Sequence, residues 1–194
     1  PVKGIAATLE LSARLINLGH PVVPHIAARL VEGPQHAADL ARWVKQHGVT
    51  EILIIGGDSE KPTHYSESLP FMRDFLDADS GVQTIGFAAY PDGHAFISKQ
   101  KLHEVLQAKQ ELLVGAGVHG LASTQMCFDA GKIRSWLRIE RHSGFTIPVN
   151  LGVPGVVDRA KLMKVRRHIG EFHKVLEVAD RGVATAVVQV VHER

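Results

Sequence analysis

Apolar positions along the chain switch between two periods. In "IAATLELSARLINLG" Ile5, Leu9, Ala13 and Ile16 recur at helical spacing, and Gly19 closes the run. "GPQHAADLARWVKQHG" places Pro34 at a helix start, repeats Ala37, Leu40, Ala41 and Val44 on one face, and stops at Gly48. "SKQKLHEVLQAKQELLVGAG" and "AGKIRSWLRIERHSG" read as further helices, and "SESLPFMRDFLDAD" as a helix broken at Pro70. Between them lie short, nearly continuous apolar runs: "HPVVPHIAA", "TEILIIGG", "VQTIGFAAY", "GLASTQMCFD" and "FTIPVNLGV". A basic helical segment from Asp158 to about Ala179 follows, and then the β-prone "ATAVVQVV".

Strand candidates thus alternate with helices at intervals of roughly thirty residues, the size of a βα unit. Strands this uniformly apolar are those covered on both faces, so the fold class is α/β with a parallel sheet and right-handed crossovers. The alternation leaves open whether the sheet stays flat or closes. A (β/α)8 barrel takes about 250 residues and eight units, and 194 residues fall short of that. No G-x-G-x-x-G follows the first strand, so a dinucleotide-binding Rossmann unit lacks its main sequence support.

Composition narrows the function classes. A chain of 194 residues, 45% apolar and 22% charged, has the make-up of one soluble globular domain. The net charge is +2, the basic residues cluster only in "KLMKVRRH", and no aromatic residue interleaves with them, which argues against nucleic acid. The single Cys127 cannot form an internal disulfide and suits a reducing compartment. No apolar run has the length of a membrane span, and the first residues carry no signal-peptide pattern, so a cytoplasmic location without membrane contact is expected. The chain opens inside a helical pattern without methionine, and we expect sequence to precede it.

In either α/β architecture ligands meet the carboxyl ends of the strands. The first strand carries His25. The second ends in Gly56-Gly57-Asp58, with Lys61, His64 and Tyr65 in the loop beyond. The third ends at Tyr90 with "PDGH" after it, the fourth carries Thr124 and Gln125, and the fifth runs into "LGVPG". A carboxylate, imidazoles, a phenol and an amide suit a flat, uncharged, heteroatom-rich ligand better than a metal or phosphate. Each also has a plain structural reading. Gly56-Gly57-Asp58 can close a turn and cap the next helix, His25 can be a satisfied core histidine, and "YPDG" is turn chemistry. Gln125 within an apolar strand is the most pointed, since a buried amide needs partners.

Metal and nucleophile chemistry find little footing. Twelve histidines include no H-x-x-x-H or H-E-x-x-H pair, and His168 and His173 stand five apart. Cys127, read as mid-strand, is a small buried hydrophobe by default. There is no G-x-S-x-G elbow and no Walker loop.

Taken in order, "VVPHIAA", "ILIIGGD", "KPTHY", "FAAYPDGH", "STQMCFD" and "IPVNLGVPG" resemble methylenetetrahydrofolate reductase, from about His20 to Lys161. The resemblance implies a single (β/α)8 TIM barrel over 1–194, here lacking its first strand and a recognisable last strand. It implies reduction of 5,10-methylenetetrahydrofolate to 5-methyltetrahydrofolate, with hydride from NADH or NADPH passing by way of FAD or directly. Under it, His25, Gly57, Asp58, Tyr65, Ala88, Tyr90 and His94 line the cofactor site, Asp58 also acts on the folate, and Gln125 binds the pterin. No metal is implied, and a homo-oligomer is compatible with it. The alternative is a barrel that binds folate or nucleotide without catalysis.

The departures from the family's pattern are specific. The family's first-strand glutamate, its general acid, has no counterpart here. Gly56 stands where a bulky basic residue often precedes the second glycine. Lys109 is the nearest candidate for the basic FAD contact on the helix after "YPDGH", and Arg159 stands where an aromatic substrate contact is usual.

Overall fold

The computed structural model describes residues 4–127 and 129–152. Five helices, α1 (Gly4–Asn17), α2 (Pro34–Gln46), α3 (Ser68–Asp77), α4 (Lys99–Gly115) and α5 (Ala130–His142), alternate with five strands, β1 (His25–Ala27), β2 (Glu51–Ile55), β3 (Thr84–Ala89), β4 (His119–Thr124) and β5 (Val149–Asn150). The expected helices and the first five strands are present. Arg159, the basic segment after Asp158 and "ATAVVQVV" lie outside the described residues.

Local chemistry explains most boundaries. Pro34 occupies the first turn of α2, where a missing N–H costs nothing. Ser98 caps α4 by accepting from Lys101 N at 3.2 Å, and Asp129 caps α5 by accepting from Gly131 N and Lys132 N at 2.9 and 3.2 Å. The expected break at Pro70 does not occur. Pro70 is the third residue of α3, inside the turn whose N–H groups have no helical acceptor, so the helix runs through it.

All neighbouring strands pair in parallel, and their spatial order is their chain order, β1-β2-β3-β4-β5. With each strand added on the same side and each crossover right-handed, the connecting helices are carried to one face of the sheet. A doubly wound sheet reverses its order and covers both faces, and these five strands contain no such reversal. The described residues therefore form a singly wound, open parallel wall edged by β1 and β5.

The two faces differ accordingly. Ile26, Ile52, Ile54, Ile85, Phe87 and Ala122 are at most 1% exposed and join Phe71, Met72, Phe75, Leu113 and Phe145 in the main core. The alternate positions Leu53, Ile55, Leu121 and Ser123 point the other way and are only partly buried. Register places His25, Leu53, Gly86 and Leu121 in one row across that second face. The row is tight: a Cβ on Gly86 would lie 2.8 Å from Leu53 Cδ1.

Polar groups lock the outer layer. Glu140 of α5 is buried and meets His103 Nδ1 at 2.7 Å and Gln107 Nε2 at 3.2 Å on α4. Gln110 accepts from Thr146 N at 2.6 Å and donates to Gly144 O at 2.9 Å, fixing the turn into β5. No helix among the described residues is long and apolar enough to cross a membrane.

Candidate functional site

The carboxyl ends of the five parallel strands open on one edge of the wall. At the β1 exit, Arg29 N donates to Gly56 O at 3.0 Å, prolonging the pairing with β2 past the strand ends. The Arg29 guanidinium then donates to Ser66 O and Ser59 O, both at 3.0 Å, and Thr63 Oγ1 donates to Val31 O at 2.7 Å. The loop after β2 is thereby stitched to the chain after β1. Nothing in the sequence pattern singled out Arg29, because its partners are backbone carbonyls thirty and more residues away.

Gly57 has φ +91, and a Cβ there would lie 2.9 Å from Ala27 Cβ. Its glycine character is thus required by the turn and by packing on β1. Asp58, the next residue, is exposed. It does not cap the following helix: the cap position of α3 is Glu67, which makes no side-chain cap bond. The carboxylate instead lies close enough to Tyr90, at the neighbouring β3 exit, to act on it through space. The Tyr90 phenol is raised above its ordinary pKa by burial first and by Asp58 second.

Tyr90 begins a tight turn in which Gly93 N donates to Tyr90 O at 3.0 Å. The turn brings the His94 ring within 5.1 Å of the Tyr90 ring in an edge-to-face arrangement. Ala88 lies on the open face, paired in register with Ser123. Gln125 stands one residue beyond β4, and its N–H donates to Ala89 O at 2.7 Å, which seats it beside the β3 exit.

The sequence pattern puts Gln125 in a strand as an amide in need of partners, and Cys127 at mid-strand. Both correct to positions past the strand end: β4 stops at Thr124, Gln125 is exposed, and Cys127 is buried in the connection to α5. The reason is visible at β5, where Gly152 N donates to the Thr124 hydroxyl at 2.9 Å. A Cβ on Gly152 would come within 2.4 Å of Thr124 O, so the two exits touch backbone to backbone.

The sequence-based set therefore divides. Asp58, Ala88, Tyr90, His94 and Gln125 gather at the exits of β2, β3 and β4. His25 opens β1, exposed on the same open face but one row deeper than Ala27. Tyr65 does not join them. It is 4% exposed, packs on Phe71 at 5.6 Å between ring centroids, and donates its hydroxyl to Asp74 of α3. Burial first, then Asp74, push its phenol well above the ordinary range.

Lys109 is placed elsewhere too. It is buried between α4 and the sheet with Nζ 5.2 Å from the centre of the Phe87 ring, on the helix-covered face. Burial lowers its pKa to about 8, with Glu67 partly opposing the shift. The described residues contain no group of three or more His, Cys, Asp or Glu placed to hold a metal ion.

Asp92, in the sequence only part of the "YPDG" turn, has a partner outside that turn. Asp92 reaches Lys132 of α5 at 3.1 Å and lies beside the Cys127 thiol, which burial first and Asp92 second push up to about 12. Such a thiol is protonated and unreactive at neutral pH. No protein-family model matches the chain.

Proposed function

We propose that the protein reduces 5,10-methylenetetrahydrofolate to 5-methyltetrahydrofolate with NADH or NADPH, in a cleft at the strand exits of a methylenetetrahydrofolate-reductase-like (β/α)8 barrel. The observation that carries the reading is the gathering of Asp58, Tyr90 and Gln125 at neighbouring strand exits, along the carboxyl edge of a singly wound parallel sheet. These residues come from three of the motifs on which the resemblance rests. The sequential strand order supports the barrel, because helices gathered on one face leave the other to be closed by curvature.

The chemistry asks for groups of this kind. Opening the imidazolidine ring breaks a carbon–nitrogen bond, with the departing nitrogen taking a proton from solvent water, and leaves a cationic iminium. Hydride from C4 of the dihydronicotinamide then adds to the methylene carbon, giving the methyl group and the oxidised nicotinamide. A fixed carboxylate at Asp58 stabilises the developing cation without reorganising. The Gln125 amide offers a donor and an acceptor to the edge of the pterin. The raised pKa keeps the Tyr90 phenol neutral and able to donate.

Direct hydride transfer is better supported than transfer through FAD. Of the residues that the resemblance assigns to FAD, Tyr65 is committed to Asp74, and Gly57 is explained by its packing on Ala27. The basic residue nearest to the family's FAD contact, Lys109, is buried on the opposite face.

The test is a turnover assay on the purified protein with its visible spectrum recorded. Oxidation of NADH or NADPH that depends on methylenetetrahydrofolate, by a colourless protein, is the expected result. Stoichiometric bound flavin would restore the FAD route. Tight folate binding without turnover would replace the reductase with a binding protein.

A further inference from the structure

The edge of the sheet carries a second device, formed by Asp92 and Lys132, and neither belongs to the set gathered around the cleft. Asp92 sits inside the turn that starts at Tyr90 and leads to His94. Its carboxylate is 3.1 Å from Lys132 Nζ. Lys132 lies in the first turn of α5, the helix that follows β4 and Gln125. The start of that helix is tied down by its cap and by the residues before it. Asp129 Oδ1 accepts from Lys132 N at 3.2 Å, Cys127 Sγ donates to Asp129 O at 3.7 Å, and Cys127 N donates to Gly152 O at 3.4 Å.

We propose that Asp92 is a positioning residue, braced on Lys132, that sets the Tyr90–His94 turn at a fixed distance from Asp58 and Gln125. The inference rests on the proposed cleft. The turn is closed by the Gly93 N to Tyr90 O bond, with Gly93 at φ +88, so it moves as one piece. A pull on Asp92 is therefore felt two residues away at Tyr90. An exposed ion pair contributes little to stability, and the side chains of Lys132 and Asp92 are 59% and 30% exposed. A large effect of this pair on the cleft would accordingly mark positioning rather than folding.

The experiment compares Asp92→Asn and Lys132→Met with the unsubstituted protein, using tyrosine labelled with 13C at the ring. The chain has two tyrosines, and Tyr65 is buried against Asp74, so the Tyr90 signal is separable. Release of the turn takes Tyr90 away from Asp58 and into water. Its titration is then expected to move down toward the ordinary phenol value in both variants. The two substitutions remove charges of opposite sign, so a direct electrostatic effect would move the titration in opposite directions. Opposite shifts, or no shift in either variant, would overturn the proposal. In the turnover assay both variants are expected to lose about 10-fold or more in kcat/KM, against the roughly 100-fold that a 1 Å misplacement can cost. Asp92→Glu, which keeps the carboxylate, is expected to recover most of it. Unchanged kcat/KM in both variants would also overturn the proposal. A protein without reductase activity would sink the reductase reading while the Tyr90 titration still decides this one.

Discussion

Tyr65 and Tyr90 follow consecutive strands, both stand in loops with proline and histidine, and both carry a carboxylate neighbour, yet the fold uses them oppositely. Tyr65 lies ten residues past β2, where the loop has turned back over α3. There its hydroxyl meets Asp74 and its ring joins Phe71. Tyr90 lies one residue past β3, too close to the strand end to turn away, and stays close enough to Asp58 of the neighbouring exit to feel its charge. An aromatic residue near a strand exit is thus a site candidate only when the protein has not already supplied its partner.

The largest expected effect breaks the comparison from the Tyr65 side. Tyr65→Ala should cost about 3–5 kcal/mol of stability in urea unfolding, as deletion of a buried aromatic ring does. Tyr90→Ala should cost less than half of that, because its ring is only partly buried. Equal losses would mean that Tyr90 is a core residue like Tyr65.

Asp58→Asn sharpens it from the other side. Turnover of methylenetetrahydrofolate should fall about 100-fold, the scale on which a fixed electrostatic group acts on a transition state. Stability should change by less than about 0.5 kcal/mol, since Asp58 is exposed and caps no helix. Unchanged turnover would return Asp58 to being part of a turn.

Lys109 extends the contrast to the helix-covered face. Its folded pKa of about 8 lies below the ordinary lysine value. Between these two values the unfolded chain holds a proton that the folded protein lacks, so stability rises with pH across that window. Below about 8 both states are protonated, and the full burial penalty is present. Lys109→Met should flatten this rise and add about 1–3 kcal/mol at neutral pH. Loss of stability together with loss of turnover would place Lys109 in the cleft after all. At the small end, Lys45→Gln removes an exposed pair with Asp79 and should change stability by less than about 1 kcal/mol.

How much of this was legible in the sequence follows from the range of each force. The buried face of α2 was readable because Ala37, Leu40, Ala41 and Val44 repeat at a period that burial imposes; in β2 the unbroken apolar run suggested cover on both faces and hid the alternation by which Ile52 and Ile54 alone are fully buried. Strand order was not, since alternation alone fits both flat and singly wound sheets. At the site, Asp58 and Tyr90 stood out as polar residues next to apolar runs. Tyr65 stood out equally, because its partner Asp74 is placed by the packing of α3 and by nothing in the loop itself. Gln125 was recognised as unusual but put in a strand, because the contact of Gly152 with Thr124 that accompanies the end of β4 joins residues 28 apart. The Asp92–Lys132 pair escaped notice for the same reason.

The central claim is that hydride reaches the folate in the cleft beside Asp58 and Tyr90. It is tested most directly by incubating the purified protein with methylenetetrahydrofolate and NADH or NADPH carrying deuterium at both C4 positions, followed by mass spectrometry of the folate. The account predicts 5-methyltetrahydrofolate with one deuterium in its methyl group, formed by the unsubstituted protein and about 100-fold more slowly by Asp58→Asn. Absence of labelled product from the unsubstituted protein, with folate still bound, would contradict it.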